Sequence, residues 1–381
     1  MTIHPPPLAR LLPFRVREPR FTGMSDRLAR LLAQRPFLLA DGATGTNLFD
    51  MGLLSGDAPE LWNVEHADRI ESLHRSMIAA GADIILTNSF GGSRYRLKLH
   101  KAENRVAELN ALAAGTARRV ADDEGARRGR EIVVAGDIGP TGELFEPLGP
   151  LTVAEGAAAF AEQAHALAKG GADVIWIETM SSKDELTAAV QGAGGTGLPI
   201  VCTLTFDTNG RTMMGVTPAE VAILCREQLQ PRPLAYGANC GVGPAELIAT
   251  LASMAGMFGP DDVIVAKGNC GVPHFVDDKI QYDGTPEQMA IYARLARDCG
   301  ARIIGGCCGT TPGHLAAIRA ALEGYQPNAV PTLEAITAQL GKISAGAEHQ
   351  LCGHGAHGAA LDAAATRRRS RRRGEAQASE A

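Results

Sequence analysis

Three stretches decide the fold: Ile132-Val133-Val134-Ala135, the amphipathic run Ala154–Lys169, and the second apolar run Val174-Ile175-Trp176-Ile177. Short apolar runs bounded by polar residues suit strands buried on both faces, and the segment between them has the periodicity of a helix with one face to cover. Strand, helix, strand in that order is the unit of a parallel sheet. The unit recurs outward in both directions. Upstream lie Phe37–Ala40 and Asp83–Leu86; downstream lie Ile200–Leu204, Leu234–Tyr236, Val263–Ala266 and Arg302–Ile304. Helical periodicity returns at Pro218–Gln228 and Pro286–Cys299. Eight strand–helix repeats predict an α/β chain folded as a single-domain (β/α)8 TIM barrel. A doubly wound open sheet, the alternative, normally holds fewer units.

The 381 residues exceed the roughly 250 of a barrel, so extensions are expected at both ends. The barrel is placed at 24–325. Residues 1–23, rich in Pro and Arg, read as a flexible arm, with Met24 as an alternative start. Residues 326–381 read as a C-terminal extension whose Ala- and Gly-rich end, from about Ala345, is a solvated tail finishing in Arg367-Arg368-Arg369-Ser370-Arg371-Arg372-Arg373. A hydrophobic share of 45% with only 4% aromatics calls for an aliphatic core. The net charge of −5 offers no attraction for nucleic acid or a membrane surface. No apolar run reaches the roughly 18 residues of a membrane span, and Pro5-Pro6-Pro7 interrupts any signal peptide. A cytoplasmic protein with reduced thiols is expected; small molecules are the expected partners, and a homo-oligomer remains open.

Function in such a barrel gathers at the C-terminal ends of the strands. In order these ends carry Asp41, Asn88, Asp137, Glu178, Asp207, Cys240, Asn269 and the pair Cys307-Cys308. A core would be served better by apolar residues, so eight polar or thiol ends point to an enzyme. Neighbouring residues of a regular strand face opposite ways, yet the glycines of Gly305-Gly306-Cys307-Cys308-Gly309 allow both sulfurs to turn inward. Cys240 can reach the same point. Three thiolates suit Zn2+ and leave its fourth tetrahedral position to a substrate. Ordinary buried cysteines or a vicinal disulfide are the alternatives. Cys270, in Gly268-Asn269-Cys270-Gly271, is a rival ranked as packing. Zinc held by thiolates keeps a bound thiol deprotonated and electron-rich, ready to attack carbon.

Asp41-Gly42-Ala43-Thr44-Gly45-Thr46, Thr87-Asn88-Ser89-Phe90-Gly91, Gly136-Asp137-Ile138-Gly139-Pro140-Thr141-Gly142, Glu178-Thr179, Gly237-Ala238-Asn239-Cys240 and Gly305-Gly306-Cys307-Cys308-Gly309-Thr310 come in one order. Over about Pro36 to Leu322 they resemble the homocysteine S-methyltransferase family, zinc barrels that convert homocysteine to methionine. The resemblance implies Cys240, Cys307 and Cys308 as metal ligands and catalytic centre. It implies that Asp41 and Glu178 hold the homocysteine ammonium and that the Gly42 and Ala43 amides take its carboxylate. Asn88, Phe90, Asp137 and Asn269 are the further substrate-contact candidates. Asp41 could instead shape a turn, and Glu178 could belong to a structural salt bridge.

For the methyl donor, a chain of this length favours a stand-alone molecule such as betaine. Asp57-Ala58-Pro59-Glu60-Leu61-Trp62-Asn63 and Lys267-Gly268-Asn269-Cys270-Gly271-Val272-Pro273 resemble bacterial betaine–homocysteine methyltransferases. The aromatic residues that the animal betaine enzymes carry are replaced here by Ala58, Gly91 and Thr179, leaving Phe90, with Trp62, Tyr95, Phe49 and Phe145 as substitutes nearby. Transfer from a cobalamin protein or S-methylmethionine is the alternative, and a non-catalytic zinc- or homocysteine-binding protein is the alternative of another class.

Overall fold

The structure, a computed structural model, describes residues 27–276 and 279–353. The arm expected at 1–23, the Met24 start and the arginine run 367–373 lie outside the described residues.

Eight parallel strands form one sheet: β1 (Leu38–Leu39), β2 (Ile84–Leu86), β3 (Val133–Ile138), β4 (Val174–Met180), β5 (Ile200–Leu204), β6 (Ala235–Cys240), β7 (Ile264–Gly268) and β10 (Ala301–Gly306). Each pairs with its neighbours in chain order, β10 pairs with β1, and the Ala40–Ile84 bridge joins β1 to β2. The sheet is therefore closed. This is the (β/α)8 barrel, with no doubly wound sheet.

Alternation along each strand decides what fills the lumen. Leu38, Ala40, Ile84, Leu86, Val133, Ala135, Val174, Trp176, Val201, Val265 and Ile303 make one buried inner cluster. The helix Arg27–Gln34 adds Leu28, Leu31 and Leu32 to that cluster, and Arg302 donates to the Leu32 and Arg35 carbonyls. The helix thus plugs the N-terminal mouth, and only the opposite mouth is left for chemistry. Strands β3, β6 and β7 run two to four residues beyond the apolar runs that announced them, through Asp137, Asn239, Cys240 and Lys267. Ladder hydrogen bonds do not depend on side-chain polarity, so the pairings Asp137–Trp176, Asn239–Lys267 and Cys240–Gly268 continue the sheet into the polar mouth.

The outer helices follow their sequence signals. Val153–Gly170 opens on a reciprocal Thr152–Glu155 capping box and closes at Gly171. The segment expected as one helix, Pro218–Gln228, is α-helical to Ile223 and continues as a π-turn over Leu224–Gln228. An antiparallel hairpin, β8 (Pro273–Val276) and β9 (Lys279–Tyr282), leaves the end of β7. After the barrel, the helices Leu333–Leu340 and Ala345–Leu351 join the outer core through Ile336, Leu340 and Ala347. No helix among the described residues is long and apolar enough to cross a membrane.

Candidate active site

The three cysteines meet. The Sγ atoms of Cys240, Cys307 and Cys308 all lie within 4.8 Å of one another, and those of Cys240 and Cys308 are 4.0 Å apart. A tetrahedral ion with bonds of about 2.3 Å needs sulfurs about 3.8 Å apart, so the trio could hold one metal ion after a small contraction. Backbone geometry makes this possible. Cys240 ends β6 with φ +58°, a left-handed conformation that non-glycine residues rarely adopt outside functional sites. Cys307 lies past the end of β10, and the Thr310 N–H donates to its carbonyl in a tight turn. In that turn Gly309 has φ +78°, and a side chain there would strike the Tyr282 ring. Two adjacent sulfurs therefore share one side.

The thiols are not independent. Hydrogen bonds from Cys240 and then Cys307 pull the Cys308 thiol down to about 3. The same bonds, from Cys307 and Cys308, push Cys240 up. Cys308 is thus the thiol that gives up its proton most readily, an effect to which the Tyr282 hydroxyl adds. Cys270 stays outside the trio: its sulfur is 3.2 Å from the Gly284 carbonyl, and its N–H holds the Cys308 carbonyl at 2.9 Å. It serves the site by bracing it.

The trio sits in a cavity of about 420 Å3 at the open mouth, within the range of small-molecule sites. Its inner end is acidic. Asp41, Asp137 and Glu178 are buried, and burial raises the affinity of each for a proton; Asp41 is held at about 6, with Lys267 opposing. Asp41 Oδ2 accepts from the Leu86 N–H at 2.7 Å, but Asp41 Oδ1 and Asp137 Oδ1 have no hydrogen-bond donor. Lys267 stands among these acids, with Nζ 3.4 Å from Glu178 Oε2 and 3.6 Å from Asp41 Oδ1. Burial disfavours its charge, yet the Glu178 and Asp41 carboxylates outweigh burial and keep it an ammonium. Glu178 is therefore part of a salt bridge, the alternative its sequence position left open, while still facing the cavity.

The other expected contacts divide. Gly42, Ala43, Asn88, Phe90 and Asp137 line the cavity; Asp41 lies just behind the lining, in contact with it through Lys267, and Asn269 does not line it. Its Nδ2 donates to the Gly241 carbonyl at 2.6 Å, so it fixes the loop after Cys240 instead of a substrate. Asn88 donates its amide to the Pro59 carbonyl and Asn63 Oδ1, which anchors the 59–63 segment. The Ala43 N–H already donates to the Thr310 carbonyl at 3.1 Å, leaving Gly42 as the loop amide without a partner among the described residues. Asp207 is exposed and away from the cavity.

Asn239, quoted only as part of a motif, forms a two-way pair with Thr179 and directs Nδ2 at Cys307 Sγ, 3.8 Å away. An N–H donor orients a thiolate ligand and tempers its charge. Asn239→Ala is expected to weaken metal affinity about 10- to 100-fold, measured by competition with a chromophoric chelator, and to leave the KM for the thiol substrate nearly unchanged.

A model of the family described as homocysteine S-methyltransferase matches residues 38–322. The chain belongs to this family. The homocysteine methyltransferase MmuM from Escherichia coli is similar in structure: its oxidized form is 25% identical, with a TM-score of 0.65 over 77% of this chain and 98% of that one. Its metallated form gives 25% and 0.64 over 78% and 99%. The methionine synthase of Mycobacterium tuberculosis is 31% identical over 78% of this chain, and that of Mycobacterium leprae 30% over 80%. This chain spans about a quarter, 26%, of the length of either synthase. The matched residues 38–322 contain both the acidic floor and the sulfur trio.

The cavity also carries the aromatic residues Phe49, Phe90 and Tyr282. Trp62 is instead buried in the outer core, edge-on to His66 with Arg69 over its ring. Tyr95 and Phe145 do not line the cavity. Gly91, which stands where the animal betaine enzymes have an aromatic, leaves room for Glu60: a Cβ there would lie 2.9 Å from Glu60 Oε1, which accepts the Gly91 N–H.

Proposed function

We propose that this barrel transfers a methyl group to the thiol of L-homocysteine, giving L-methionine, with betaine as donor and Zn2+ held by Cys240, Cys307 and Cys308. The observation that carries the reading is a sulfur trio beside a buried acidic floor on which Asp41 Oδ1 and Asp137 Oδ1 lack a hydrogen-bond donor. Three soft thiolates that a small contraction brings to tetrahedral spacing are the donor set that zinc prefers. Bound zinc supplies the Lewis acidity that keeps a thiol deprotonated at neutral pH.

The protein's own residues do the rest. Asp41, Glu178 and Asp137 receive the homocysteine ammonium, and the Gly42 amide helps hold its carboxylate. Fixed at that end, the substrate sulfur projects toward the trio. Phe49, Phe90 and Tyr282 face the donor's cationic end, with the buried Glu60 near them as counter-charge. The homocysteine sulfur attacks the donor methyl carbon; a C–S bond forms, the C–N bond breaks, and its electron pair leaves on dimethylglycine nitrogen. No proton transfer is needed in that step, so fixing two reactants in line supplies the main acceleration.

The floor predicts a pH dependence. Asp41, raised to about 6, is ionised above that value and neutral below it. Homocysteine affinity should therefore fall as pH drops through about 6, approaching tenfold per unit further down. Asp41→Asn should flatten this acid limb. An unchanged limb in that variant would assign it to another group.

The test of the function is methionine formation from homocysteine with betaine, dimethylsulfoniopropionate, S-methylmethionine and methylcobalamin, side by side. Turnover with betaine alone supports the reading. Turnover only with S-methylmethionine or methylcobalamin replaces the donor, and stoichiometric binding without turnover makes the barrel a binding protein.

A further inference from the structure

Lys267 has no place in the scheme so far. Its side chain is 2% exposed, lies over the Trp176 ring at 5.4 Å, and presents its ammonium to the cavity. Parity puts it there: Val265 and Lys267 share the lumen-facing side of β7. An ammonium has three donors, and charge-assisted bonds to carboxylates run about 2.7–2.9 Å. Here the separations are 3.4 Å and 3.6 Å, so two acids hold Lys267 without saturating it. Across the same floor, Asp137 Oδ1 and Asp41 Oδ1 still lack donors. The floor thus offers both kinds of partner, carboxyl oxygens without a hydrogen-bond donor and a cation held only at long range.

We infer that Lys267 is a specificity-determining residue that receives the α-carboxylate of the thiol substrate, while Asp137 and its acidic neighbours take the ammonium. This rests on the homocysteine reading and names the group that makes the site choose a zwitterion. Of the two loop amides, Ala43 has given its N–H to Thr310, which leaves Gly42 to share the carboxylate with Lys267. A buried lysine also repels a substrate that brings only an ammonium, and it leaves a substrate that brings only a carboxylate its one cation. Charge at this position therefore sorts thiols by their headgroup.

The experiment measures equilibrium binding of three thiols to the zinc-loaded protein by calorimetry: homocysteine, 4-sulfanylbutanoate without the amine, and 3-aminopropane-1-thiol without the carboxylate. Lys267→Met should lose roughly 30-fold or more in affinity for the first two. The amine thiol should bind as well as before or better. Lys267→Gln, which keeps a neutral donor, should fall between, and it carries the test if the methionine variant does not fold. Equal loss for all three thiols means a structural ion pair and overturns the inference, as does an unchanged preference among them. Failure of the unaltered protein to bind homocysteine overturns the homocysteine reading itself, and this inference with it; good homocysteine binding with no effect of Lys267 overturns the inference alone.

Discussion

Cys308→Ala is expected to abolish both metal binding and methionine formation. Cys308 is the member of the trio most easily deprotonated, pulled down by Cys240 and then by Cys307. Without it, two sulfurs remain where three had met within 4.8 Å of one another. A zinc site reduced from three protein ligands to two loses affinity by several orders of magnitude, since each thiolate bond contributes a large share of the ~10–16 kcal/mol typical of structural zinc sites. Metal content of the purified variant should fall from about one per chain to near zero, with turnover below detection. Fold is not at stake, because the turn is held by the backbone bonds Thr310 N–H to Cys307 and Cys270 N–H to Cys308. A metal-free variant that still makes methionine would remove the mechanism.

Glu178→Ala should act on substrate and leave the metal alone. Its carboxylate reaches the cavity next to Lys267 and acts on Cys307 and Cys308 through its charge. Truncating one member of a buried charge pair costs about 2–5 kcal/mol, so the homocysteine KM should rise roughly 30-fold to 1,000-fold or more. The change in kcat should be within a few-fold once homocysteine saturates, because the methyl donor and the sulfur trio stay in place. A purely structural salt bridge predicts the opposite split: lower thermal stability with KM unchanged. Steady-state kinetics with a melting curve separates the two.

The barrel was legible because eight apolar runs separated by amphipathic segments admit few arrangements. The sulfur trio was legible because two adjacent cysteines in a glycine frame make little sense in a regular strand. Lys267 was not, although it lies two residues beyond Val265 on an inward-facing strand. The reading stopped where the apolar run stopped, at Ala266, whereas the ladder runs on to Gly268. Tyr282 was invisible for a different reason: it arrives on a hairpin inserted after β7, and nothing in a repeating strand–helix pattern announces an insertion. A polar residue at a strand end can also fasten the next loop, as Asn269 does outside the cavity lining through Gly241, and as Asn88 does through Pro59 while lining the cavity. Backbone amides are hardest of all. Whether Ala43 is free depends on Thr310, 267 positions away, which only the closed barrel brings near.

X-ray absorption at the zinc edge, recorded on the metal-loaded protein before and after adding homocysteine, tests the central claim most directly. The account predicts a shell of three sulfurs and one lighter atom that becomes four sulfurs at about 2.3 Å. A shell that holds its sulfur count when homocysteine saturates the protein would contradict it.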